Sequence, residues 1–182
     1  MKKTTQILGL GILFLFATTL SLSAQKCKYD FNKTDRITGE QSKGIGFKIE
    51  FKMAPGGIGT IYRSSMGFNK VGESYHVNVE LMFTGQLRER ILKSDPLIIK
   101  LSNGETITIY PQADFTPTAT AGPTSVFSQY DAKYDIDAAS LQKIAESAPV
   151  FFRISLQDKV YDRELSKKDQ KNFMNAARCI LQ

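Results

Sequence analysis

The chain has 182 residues, with 24 Lys and Arg against 18 Asp and Glu, a formal charge of +6, two cysteines and one histidine. That length can bury a sizeable core, and so few cysteines and histidines make a poor metal cluster or His-based triad. The bases are scattered rather than gathered into the stripe that nucleic-acid binding needs, and even the densest group, Lys167, Lys168 and Lys171, sits beside Asp169.

Met1-Lys2-Lys3 is followed by an apolar run from Ile7 to Phe16 and then by small residues through Ala24. A charged start, a short apolar core and small residues at the cut are the layout of a secretory signal peptide; the core is shorter than a bilayer span. The reading is a signal peptide over 1–24, cleaved near Ala24, then one α+β domain over 25–182 with no transmembrane segment. Losing the two lysines of the signal lowers the charge from +6 to +4. Gln25 and Lys26 are long and polar where lipid attachment at Cys27 would need a small neighbour, so no lipoprotein is expected. In an oxidising compartment the even cysteine count reads as a disulfide between Cys27 and Cys179, joining the two ends of the mature chain.

Strict alternation follows. In "FKIEFKM", Phe47, Ile49, Phe51 and Met53 face one way and the charged residues the other. In "YHVNVELMF", Tyr75, Val77, Val79, Leu81 and Phe83 oppose His76, Asn78, Glu80 and Met82. Period two with one apolar face marks half-buried antiparallel strands. Turn signals stand between them near Gly39, Gly56 and Gly72. "LIIKLSNGETITIY" reads as a hairpin with a type I′ turn at Asn103-Gly104. Its flanks place Leu97, Ile99, Leu101 and Tyr110 on one face and Ile98, Ile107 and Ile109 on the other, which predicts cover on both sides. Ala113 to Ser125, rich in Pro, Thr and Ala, reads as a long, exposed and mobile loop.

The last third changes period. Asp137 is an N-cap for a helix bearing Leu141, Ile144 and Ala145, which Pro149 stops. Val150, Phe152, Ile154 and Leu156 alternate inward, a turn at Asp158-Lys159 follows, and "VYDREL" returns as a partner strand. Ser166 caps a final helix with Asp169 in the capping-box position and a stripe of Phe173, Ala177 and Ile180. The predicted class is α+β: mainly antiparallel β, as a sandwich or partly closed barrel, with two helices in the C-terminal third.

The motifs that could carry chemistry are sparse. His76 belongs to the polar face of its strand and is expected to face solvent. Ser140 and Lys143 form an S-x-x-K pair without the partner motifs of serine acyl enzymes. Asp135, Asp137 and Glu146 fall at the first, third and twelfth places of a calcium loop, yet Ser140 stands where that loop needs glycine. "GGIG", Gly56 to Gly59, leads into a strand rather than a helix and so cradles no phosphate. No catalytic, cofactor-binding or metal-ligating residue is assigned, and no cofactor is expected.

The run from "LIIKLSNGETITIY" through "YDIDAASLQKIAESAPVFFRI" to "FMNAARCIL", behind "SAQKCKYD", resembles small exported Bacteroidetes-type proteins of uncharacterised function. The resemblance implies a periplasmic or secreted address and carries over no catalytic residue. The expectation is a non-enzymatic binding or structural module of the bacterial envelope. Its partner would be an envelope protein, a surface glycan or a small ligand, with no role for nucleic acid. The alternatives are a carrier of a small apolar ligand, suggested by the aromatics and the two-faced hairpin, and a hydrolase whose carboxylates converge only in the fold.

Overall fold

A computed structural model describes residues 27–49, 61–122 and 125–182. The signal peptide, the "GGIG" turn, Phe51 and Met53 lie outside the described residues.

Two antiparallel sheets and two helices make up the described fold. The larger sheet is built from β1 (Phe31–Thr34), β2 (Gln41–Lys48), β3 (Ile61–Val71), β4 (Ser74–Thr84), β7 (Thr118–Ala121) and β8 (Val126–Ile136), in the order β1-β2-β3-β4-β8-β7. The smaller is built from β5 (Leu97–Leu101), β6 (Thr106–Ile109), β9 (Pro149–Leu156) and β10 (Lys159–Glu164), in the order β10-β9-β5-β6. Helix α1 spans Ala138–Glu146 and α2 spans Lys167–Leu181.

Alternation in β4 sets the inner face of the larger sheet. Val77, Val79, Leu81 and Phe83 are at most 1 % exposed, and burying each contributes roughly 1.5–3 kcal/mol. Register carries this face sideways: Val77 stands opposite Phe68 and Tyr134, and Leu81 opposite Ser64 and Tyr130. At one end α2 covers the face, with the Phe173 ring 4.7 Å from Phe47 and 6.1 Å from Phe68. Toward the other end the smaller sheet reaches it, where Tyr161 packs 5.0 Å from Phe83. Both helices are capped as the sequence predicts: Asp137 accepts from the Ser140 N–H and Ser166 from the Asp169 N–H. The second cap is not reciprocal at the backbone, because the Ser166 hydroxyl donates to the Asp169 carboxylate instead.

Three expectations are corrected. In the β5–β6 hairpin Leu97 pairs with Ile109 and Ile99 with Ile107, so all four share the buried face and Tyr110 points out, 53 % exposed. The cause is the turn. Gly104 takes φ 91° and donates to the Leu101 carbonyl, while Gln157 is the only non-glycine residue with positive φ among the described residues. Asn103 is therefore not left-handed. The loop is a type I turn followed by a left-handed glycine, one residue longer than a type I′ turn, and a one-residue change moves every side chain of the return strand to the other face.

The described part of the Ala113–Ser125 segment is pinned rather than free, Pro123 and Thr124 lying outside the described residues. Phe115 exchanges two backbone hydrogen bonds with Ile91, Asp114 pairs with Arg90 at 3.0 Å, and β7 adds an edge strand to β8. The four residues of β7 are all exposed, so no apolar alternation announces the strand; its evidence lies in the hydrogen bonds to β8. Finally, Lys159 pairs with Leu156, which puts the last β-turn at Gln157-Asp158 instead of Asp158-Lys159.

Candidate functional site

The Cys27–Cys179 disulfide expected from the sequence is present, with Cα atoms 5.5 Å apart. It ties the start of the described chain to the last turn of α2, and the Tyr29 hydroxyl donates to the Cys179 carbonyl beside it.

The other sequence candidates are drawn into separate structural tasks. His76 is not solvent-facing: its side chain is 9 % exposed, with Nδ1 3.0 Å from Asp135 Oδ1. It does lie on the outer face of β4, but the Gln112 side chain reaches it there, its amide nitrogen 3.3 Å from Nδ1, from a segment that runs alongside β8. Pro111 bridges to Tyr134, and the Gln112 N–H donates to the Lys133 carbonyl. The Gln112 amide also donates to Asp135. Lys143 reaches Glu105 across the β5–β6 turn at 3.3 Å, and Ser140 is used through its N–H at the helix cap. The three acids of the near-calcium loop disperse likewise: Asp135 holds His76, Asp137 caps α1, and Glu146 accepts from Gln142.

A concavity lies on the outer face of the larger sheet, among residues to which the sequence reading assigned no role. Cross-strand register sorts that face into rows. Phe31, Gly44, Asn69 and His76 form one row. Gly46, Gly67, Asn78 and Lys133 form the next. Lys48, Ser65, Glu80 and Asp131 form the third, and Arg63, Met82 and Gln129 the fourth. The second row begins with two glycines side by side, so the sheet has a bare backbone floor between two rows that carry side chains. The resulting groove is about 490 Å³, within the range of small-ligand sites. A smaller hollow of about 120 Å³ adjoins it and shares Arg63, Ser65 and Glu80.

The floor is close-fitted. A Cβ on Gly67 would lie 3.1 Å from the Ile45 carbonyl oxygen, and one on Gly44 would lie 2.3 Å from the Phe31 ring and 2.4 Å from Asn69 Oδ1. Phe31 and Asn69 thus occupy the space a side chain at Gly44 would take, forming one wall. The Asp30 carboxylate accepts from the Gly46 N–H and fixes the strand edge. On the other wall the Ser65 hydroxyl donates to Glu80 Oε2 at 2.6 Å. Asp131 stands directly opposite Glu80. Burial first, and the Glu80 charge second, raise its pKa above the ordinary carboxylate value. Asn78 Oδ1 is enclosed and has no hydrogen-bond partner, an unmet acceptor beside the glycine floor.

Sequence reasoning passed over these residues because they sit in strands whose other face carried the apolar signal. The available clue was the glycines: "KGIGF" and "SMGFN" put Gly44, Gly46 and Gly67 inside strands, where glycine marks a close approach to the backbone.

Compared with models of protein families, with curated proteins and with solved structures, the chain gives no match.

Proposed function

We propose that this protein is an exported, non-enzymatic binding module of the bacterial envelope, and that its glycine-floored groove takes a hydroxyl-rich ligand, a surface glycan. The groove carries the reading. Asn69, Glu80, Arg63 and Ser65 offer donors and acceptors of both kinds, the floor leaves room for a flat ring, and Phe31 supplies an aromatic wall. The disulfide supports an oxidising address. Among the described residues no helix is long and apolar enough to cross a membrane. The likeness to small exported Bacteroidetes-type proteins agrees with that address.

The test is a screen on an array of bacterial surface glycans, followed by titration of the best binder. Filling the floor with Gly67→Val is expected to abolish binding, and Asn69→Ala to weaken it by about tenfold, the value of one lost hydrogen bond to a ligand. Undiminished binding by both variants would remove the groove from consideration.

One observation favours a second reading, a carboxylate-based hydrolase. Glu80 and Asp131 face each other on adjacent strands and the Asp131 pKa is raised; neighbouring carboxyls are the equipment of acid–base hydrolysis. Slow cleavage of a bound glycan that disappears in Asp131→Asn would favour that reading over simple binding. The apolar-carrier alternative, drawn from the aromatic content and a hairpin apolar on both faces, keeps only the first support, because the hairpin buries one face.

A further inference from the structure

On the opposite face of β2 and β3 the register places a second row of interest: Lys43 opposite Lys70, and Lys70 opposite Tyr75. This row continues the inner, core-facing side of the sheet just past Ile45, Phe68 and Val77. An apolar residue at position 43 would extend the core; the sequence instead buries a lysine. Lys43 is 9 % exposed. Its amine lies 5.5 Å from the centre of the Tyr29 ring, and the Lys70 amine lies 5.2 Å from that of Tyr75.

Like charges directly opposite on neighbouring strands destabilise a sheet, and a buried charge without a counter-charge costs more. Ion pairs among the described residues include His76–Asp135, Arg90–Asp114, Lys143–Glu105, Arg153–Asp162 and Lys159–Glu89. None of them engages Lys43 or Lys70. Burial, and next the charge of Lys70, lower the Lys43 pKa. The two tyrosine faces provide weak cation–π support, but among the described residues no carboxylate forms an ion pair with either ammonium group.

We propose that Lys43 and Lys70, backed by Tyr29 and Tyr75, form an anion site for a phosphate group. Each amine rests on its own ring, Lys43 on Tyr29 and Lys70 on Tyr75; because facing residues on adjacent strands hold their Cβ atoms about 5 Å apart, both flexible side chains can swing from those rings onto one tetrahedral oxyanion. A phosphate would supply the missing counter-charge and turn a repulsive pair into two charge-assisted hydrogen bonds. The site is on the other face of the sheet from the glycine groove and stands independently of glycan binding.

The experiment is a titration of the folded, disulfide-bonded protein with inorganic phosphate at ionic strength held constant with sodium chloride, read by calorimetry and thermal melting. Wild type is expected to bind saturably and to gain melting temperature with phosphate. Lys43→Met should melt higher than wild type in chloride alone, because its buried unpaired charge is gone, and should lose the phosphate response. Lys70→Met should bind about tenfold more weakly, and Lys100→Met, exposed on the smaller sheet, should bind as wild type. Parallel arms with glucose 6-phosphate and with phosphatidic-acid vesicles tell a soluble phosphate from a lipid headgroup, and binding in either sustains the site. An equal gain from chloride, or phosphate binding retained by Lys43→Met, would overturn it.

Discussion

The outer faces of the two sheets are built from the same kind of alternating strand and are finished differently. On the smaller sheet the rows run Thr108–Ile98–Arg153–Asp162 and Thr106–Lys100–Phe151–Glu164, and none of its four strands contains a glycine. Arg153 grips Asp162 with two hydrogen bonds of 2.6 and 2.7 Å, which also holds the Asp162 carboxyl below its ordinary pKa. That surface is filled and its central charge pair is satisfied from within. On the larger sheet three glycines interrupt the outer rows, Asn78 keeps an unmet acceptor, and Glu80 faces another acid. Each strand glycine gives up about 0.5–1 kcal/mol in backbone entropy, so three of them together mark a face where close approach of neighbouring groups to the backbone was kept at the expense of stability. One face closes a surface; the other leaves an opening.

The comparison can be broken at several levels. The largest effect is expected from Phe173→Ala. Its ring is fully buried and wedged against Phe47 and Phe68, so truncation should cost about 3–5 kcal/mol. Hydrogen exchange should then show β2 and β3 losing protection ahead of β5 and β9; equal loss in both sheets would mean that the two faces do not rest on separate supports. Next comes the disulfide. Replacing Cys27 and Cys179 by serine opens a closure spanning 152 residues and should cost about 2–5 kcal/mol in denaturant melts. The released motion should concentrate at β1 and the end of α2, beside the groove, and spare the smaller sheet.

The smallest effect is electrostatic and sharpens the contrast most directly. Because the Asp131 pKa is raised above its ordinary value of 3.8, folding favours the protonated acid. Its contribution is therefore fully present below that value and is lost as pH rises through the folded pKa. Glu80→Gln should move the Asp131 midpoint down, shrink that loss and raise stability at neutral pH by less than about 1 kcal/mol. Burial remains the larger cause, so the shift should not vanish. A carboxyl-carbon NMR titration of Asp131 that showed no movement would separate the two acids and leave the hydrolase reading without its pair.

Much of the frame was legible in the sequence because it depends on local patterns. The period-two run of β4 placed Val77, Val79, Leu81 and Phe83 on one face, Asp137 and Ser166 announced their helices, and the lone pair of cysteines announced their bond. The errors share a cause. The contact that covers His76 comes from the Gln112 side chain, brought in by a segment that pairs alongside β8. β7 depends on hydrogen bonds from β8, and the hairpin faces depended on one residue of loop length.

The candidate site was hidden for the same reason. Alternation tells which residues share a face, and this follows from the geometry of one strand. It does not tell what stands beside that face. Gly46 beside Gly67, Glu80 beside Asp131 and Lys43 beside Lys70 are neighbours only through register, which pairing, turns and packing choose together. The sequence by itself determined the long alternating strands such as β4 and β9 with their inward sides, the caps and the staple; tertiary structure alone decided β7, the faces of the β5–β6 hairpin, where backbone was left bare and which charges were set against each other.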